Sequence, residues 1–192
     1  MKFTANKLST LVAITFTANI FSFSAFADQP YQGHRIGVGI SSGKMDSFYF
    51  EGDSDDIGSG LKLEYGYDIN RIFGLNVSLD KNKDDEDSWL GKYESDVTTL
   101  KVDTDIGYAF EFNDFTLKPY GAIGFARIKD KTSFTPAVGD KEFYSSNEGA
   151  LLLGTGVRVS FDFGLYADLR SNYMILEHYD MDQLSLTIGY KF

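Results

Sequence analysis

From Leu184 to Phe192 the chain reads L-S-L-T-I-G-Y-K-F. Leu184, Leu186, Ile188, Tyr190 and Phe192 share one face, and Ser185, Thr187, Gly189 and Lys191 share the other. Strict period-two alternation predicts a β-strand with one apolar and one polar side. The stripe runs to the last residue, where a soluble domain usually frays into a polar tail. Seven earlier segments repeat the pattern, at about 33–42, 59–67, 72–80, 97–110, 116–128, 149–161 and 165–173. Their apolar faces carry, among others, Ile36, Val38 and Ile40; Leu61, Leu63 and Tyr65; Leu75, Val77 and Leu79; Leu100, Val102 and Ile106; Ile123 and Phe125; Leu151 and Leu153; and Leu165 and Leu169.

The connections alternate in length. Those after the second, fourth and sixth segments are short, while 43–58, 81–96 and 129–148 are long and polar. The stretch 174–182 is intermediate. Short turns at one end and long loops at the other are the layout of an outer-membrane barrel. Strands near ten residues suit a tilted bilayer crossing, and closure removes edges that lipid would not tolerate. The expected fold is therefore all-β, an eight-stranded antiparallel transmembrane up-and-down β-barrel with both termini on the periplasmic side.

The opposite parity carries Arg35, Lys62, Glu64, Asn76, Asp80, Lys101, Asp103, Asp105, Lys118, Tyr120, Arg158, Tyr166, Asp168, Arg170 and Lys191, with glycines interleaved. An eight-stranded barrel is only wide enough for side chains to fill it. Buried charges persist when paired, so a salt-bridged polar core is expected rather than an ion path. A soluble lipocalin-like barrel would use the same alternation with its apolar side inward. The charges on the other side argue against that, as do the aromatics near the short turns (Tyr65, Tyr67 and Phe73; Tyr108, Phe110 and Phe112; Phe161 and Phe163; Tyr190 and Phe192). Aromatics at that depth form an interfacial girdle.

The first residues change the compartment. Lys2 and Lys7 precede an apolar run from Leu8 to Phe23, and Ala25-Phe26-Ala27 has the A-x-A form of a cleavage site. Residues 1–27 are expected to be a secretory signal peptide and 28–192 the barrel domain. Removing the two lysines takes the formal net charge from −10 to −12. Such an acidic chain is a poor nucleic-acid binder, because that role needs clustered Lys and Arg. The absence of cysteine removes disulfides and thiolate-bound metals as sources of stability.

The segments L-K-P-Y-G-A-I-G-F-A (Leu117 to Ala126) and G-T-G-V-R-V-S-F (Gly154 to Phe161) and the closing I-G-Y-K-F resemble the small outer-membrane β-barrel superfamily, the OmpA-like and OmpX/Ail-like eight-stranded porin-family proteins. The likeness spans nearly all of 28–192. It implies a location in the cell outer membrane of a Gram-negative cell and a monomer among outer-membrane lipids and lipopolysaccharide. It also implies recognition by the barrel assembly machinery through the last strand, with Tyr190 and Phe192 as the signal. A periplasmic peptidoglycan-binding domain is expected to be lacking. Family members act as structural proteins, adhesins, serum-resistance factors or phage receptors through their loops, and an extracellular partner here would be reached the same way.

Candidate chemistry is sparse. His34 lies on the lipid-facing parity, and His178 stands beside Glu177 and near Asp180. A triad of His178, Ser171 and Glu177 can be written down, since some small barrels modify lipid A. Nothing in the sequence brings Ser171 within hydrogen-bond reach, which a nucleophile requires. The acidic clusters Asp53, Asp55 and Asp56, and Asp84, Asp85, Glu86 and Asp87, lack EF-hand spacing and read as solvated loop charge. Trp89 and Leu90 sit inside the second cluster, as a contact point or as loop packing. No catalytic, cofactor-binding or metal residue is assigned and no cofactor is expected. The expected function is a non-enzymatic surface protein serving membrane integrity and loop-mediated adhesion. The alternatives are a narrow solute channel and a lipid A-modifying enzyme.

Overall fold

The computed structural model describes residues 31–47, 54–88, 91–136, 142–177 and 179–192. Eight long strands dominate: β1 (Gly33–Ser47), β2 (Ser54–Asp68), β3 (Phe73–Ser88), β4 (Gly91–Gly107), β5 (Phe115–Pro136), β6 (Glu142–Phe161), β7 (Leu165–Ile175) and β8 (Tyr179–Lys191). A two-residue piece, Phe110–Glu111, continues from β4 and pairs with β5. Every strand is antiparallel to its neighbour in sequence, and β8 returns to β1, from Arg35↔Lys191 to Ser47↔Tyr179. The sheet is thus a closed up-and-down barrel. At the seam His34 N–H donates to the Phe192 carbonyl at 2.8 Å and Phe192 N–H to the His34 carbonyl at 2.9 Å.

The alternation divides the two faces as the sequence predicts. Leu61 is 73% exposed and Phe125 72%, values that only lipid can accommodate for a whole belt of such residues. The charged parity points inward: Arg35, Lys62, Glu64, Asp80, Lys101 and Asp105 are all buried. The short turns also follow local chemistry. Asn70 Oδ1 accepts the N–H groups of Ile72 and Phe73, closing the β2–β3 turn. Gly164, at φ 95°, supplies the left-handed residue of the turn between β6 and β7.

The long connections differ from the sequence reading. Most of 81–96 and much of 129–148 is paired strand, for example Asp85↔Glu94 and Lys131↔Ser145. Asp84 and Asp85 therefore stand on β3 and not in a loop. The stretch 174–182 likewise shrinks, because Met174 still pairs with Met181. These arms rise beyond the apolar belt with polar residues on both sides. Periodicity vanishes there while the backbone ladder continues. The expected signal peptide, Asp53, Trp89, Leu90 and His178 lie outside the described residues.

Candidate functional site

Two regions could carry function, the lumen and the outer rim. The lumen is built in layers. Nearest the periplasm, Arg35 on β1 reaches Asp68 Oδ1 with Nε at 3.1 Å and Asn76 Oδ1 with Nη2 at 2.8 Å. Lys191 Nζ meets Asp68 Oδ2 at 2.9 Å, and Lys118 Nζ meets Asp105 Oδ1 at 2.5 Å. Arg158 Nη1 lies 3.3 Å from Asp105, while its Nε donates to Asp168 at 2.8 Å. The next layer joins Lys62 to Glu64 at 2.7 Å and Arg170 to Asp103 at 2.8 Å. Above it, Lys101 Nζ binds Asp80 at 2.8 Å and Gln183 Oε1 at 2.5 Å. Taking ions from water into such a space costs several kcal/mol each, roughly, and close pairing offsets that cost.

Two tyrosines complete the filling. Tyr120 donates to Asp168 at 2.7 Å and lies over Gly156, where an added Cβ would come 2.6 Å from its ring. Tyr166 covers Gly37 and Gly189 in the same way. Glycine at these points makes room for rings that span the bore.

The uppermost layer is apolar, which the sequence reading did not foresee. Ile57, Val97, Ile128, Leu152, Met174 and Met181 form one buried cluster on the inward face, with Met45 and Tyr179 packed against it. The signal was present as a break in alternation: Leu151-Leu152-Leu153 and Met174-Ile175-Leu176 are apolar on both parities. The bore is thus closed by ion pairs below and hydrocarbon above.

At the periplasmic rim Arg71 is sandwiched between Tyr31 and Tyr108, 4.9 and 4.4 Å from the ring centres. His34 takes the girdle position its parity predicts. Its Nδ1 is 2.7 Å from Tyr65 Oη, and its ring stacks on Phe192 at 5.8 Å. Ser171 is exposed on the outer face, opposite Leu184, and Glu177 is exposed beyond the end of β7. Among the described residues no group of three or more His, Cys, Asp or Glu is placed to hold a metal ion.

The outer rim is different in character. Just above the belt, Lys81, Lys83, Arg127, Lys129 and Lys131 are exposed on the outward face of β3 and β5. Register places Thr98 between Lys81 and Lys129, and Asp96 between Lys83 and Lys131. Asp96 lies 3.1 Å from Lys83. A groove of about 610 Å³ begins there, lined by Lys83, Asp85, Glu94, Lys131, Phe143 and Tyr144 among others.

A model of the outer membrane protein β-barrel domain matches residues 13–192. The chain belongs to that family. It is an outer-membrane protein, and its fold is shared with solved barrels. The attachment invasion locus protein Ail of Yersinia pestis is 23% identical with a TM-score of 0.61, covering 84% of this chain and 99% of that one. Neisserial surface protein A is 19% identical with a TM-score of 0.55, covering 83% and 97%. A major outer membrane protein of Thermus thermophilus is 14% identical with a TM-score of 0.51, covering 83% and 99%. A search of curated protein sequences finds no match.

Proposed function

We propose that this outer-membrane barrel is a non-enzymatic surface protein. It seats the phosphates of lipopolysaccharide on its basic rim and presents its paired arms to an extracellular partner. The observation that carries the reading is the exposed column of Lys81, Lys83, Arg127, Lys129 and Lys131 directly above the belt, on a chain of formal net charge −10. Cations at the headgroup level attract anionic lipid at about 1 kcal/mol each. The filled bore supports a structural role over transport. Ail, of the same fold, has been crystallised with the heparin analogue sucrose octasulfate. That precedent for a polyanion on such a barrel supports the adhesive part of the reading. Export through a signal peptide cleaved after Ala27 and assembly directed by Tyr190 and Phe192 belong to the same proposal.

The test is reconstitution with and without lipopolysaccharide. The folded barrel should migrate differently on SDS gels before and after boiling, and lipopolysaccharide should raise the temperature of that conversion. The variant Lys81→Gln/Arg127→Gln/Lys129→Gln should keep the fold and lose the gain. An unchanged temperature for the parent protein would overturn the reading. A lipid A acyl pattern that depends on the protein in cells would replace it with the enzymatic alternative.

A further inference from the structure

The chain contains four methionines, and three of them stand on a single rung. Met181 on β8 is paired with Met45 on β1 and, on its other side, with Met174 on β7. Directly opposed residues of antiparallel strands hold their Cβ atoms about 4.5–5.5 Å apart, so flexible side chains from three such positions can bring their sulfurs to one point. All three side chains belong to the apolar layer at the extracellular end of the bore. Met174 and Met181 are fully buried, and Met45 is partly buried.

What surrounds the trio selects among ligands. Its neighbours in the buried cluster are aliphatic (Ile57, Ile128 and Leu152). A hard cation such as Ca²⁺ or Mg²⁺ prefers oxygen ligands and would be held by carboxylates at the mouth, not by the sulfurs. Around the mouth, the carboxylates of Glu148 and Asp130 act on the hydroxyl of Tyr179, whose side chain packs on this layer. Register sets Asp130 opposite the buried Val97 and Glu148 opposite the buried Ile128, so both carboxylates take the inward parity. Lys129 and Lys131, the neighbours of Asp130 in sequence, are exposed on the outward parity. The mouth is therefore an anionic collar over a floor of thioethers.

We propose that Met45, Met174 and Met181 form a binding site for a soft monovalent metal ion of the Cu(I) or Ag(I) kind, reached from the cell exterior past Asp130 and Glu148. Thioether sulfur is neutral, polarizable and selective for such ions. The collar attracts the cation and offsets the cost of its charge in an apolar layer. Met45, the one member that is not fully buried, gives access.

The experiment uses the full barrel in detergent micelles. Ag(I) is titrated in nitrate buffer and followed by the methionine methyl resonances and by native mass spectrometry. One ion per barrel is expected, with all three methyl signals shifting together. Met45→Leu, Met174→Leu and Met181→Leu keep the volume and the apolar surface, so each variant should still show the heat-dependent gel shift. Each should bind Ag(I) more weakly by at least the roughly tenfold that losing even an outer-shell partner costs a metal site. Asp130→Asn should slow uptake without changing which methyl signals move. The proposal is overturned if the parent protein takes up no Ag(I), if a folded Met174→Leu/Met181→Leu variant binds as tightly as the parent, or if Ca²⁺ moves the same three signals.

Discussion

Arg158 and Asp168 face one another across β6 and β7, joined by a hydrogen bond of 2.8 Å from Nε to Oδ2, with both side chains almost wholly buried. Removing the carboxylate leaves a guanidinium in the bore without its nearest anion. Asp168→Ala should cost about 3–5 kcal/mol of stability, measured by urea unfolding in lipid vesicles. Lys83→Ala, which breaks the pair between Lys83 and Asp96 at 63% and 44% side-chain exposure, should cost no more than about 1 kcal/mol. Equal effects would refute a bore organised by desolvated ion pairs.

Conductance tests the seal. In planar bilayers the protein should show no stable unitary current, because ion pairs and the apolar layer block the bore in series. The variant Ile128→Ala/Leu152→Ala thins only the apolar layer and should stay silent. A discrete channel in the parent protein would revive the solute-channel alternative.

Gly37 tests the filling by steric means. A Cβ there would lie 2.3 Å from Tyr166 Oη, 2.7 Å from Thr187 Cγ2 and 3.1 Å from the Ile188 carbonyl. Gly37→Val should destabilise the barrel by roughly 1–3 kcal/mol, as overpacking does. Adding Tyr166→Phe removes the nearest atom and should restore part of the loss. No rescue in the double variant would mean that the Tyr166 hydroxyl is not the obstruction.

Tyr179, at the extracellular mouth, gives a pH dependence. Burial, then the carboxylates Glu148 and Asp130, push its hydroxyl up from 10.0 to about 12. A group whose folded value is raised contributes stability that is full below the unfolded value and fades as pH climbs to the folded one. The parent protein should lose on the order of 1 kcal/mol relative to Tyr179→Phe between pH 10 and about 12, a half-exposed site being discounted for solvent. Thermal unfolding of both proteins across that range checks it, and parallel curves would exclude the effect.

Much of this was legible in the residues themselves. Parity alone sends Leu61 to lipid and Lys62, adjacent in sequence, to the bore, and the structure places them so. The same rule predicts the inward position of Arg35, Glu64, Asp105 and Arg170, but not of Asp68, which reads as part of a short turn and is instead a buried partner of Arg35 and Lys191. It failed where both faces share one character. Lys81 to Ser88 is polar throughout, so its sequence reads as a loop although it is strand. Leu151-Leu152-Leu153 is apolar throughout, so parity does not mark Leu152 as inward.

The sequence by itself determined the strand number, the sense of the two faces, the turn side and the membrane as solvent, because each follows from a local period of two and from turn chemistry. Only the tertiary structure decided which charge meets which, since the pair of Arg170 and Asp103 at 2.8 Å joins residues far apart in the chain. Closure at a particular register decided it too: it set Met45, Met174 and Met181 on one rung and stacked the arms of β3 to β6 above the belt. Register is a relation between strands, fixed by the ladder as a whole, and no single strand carries it.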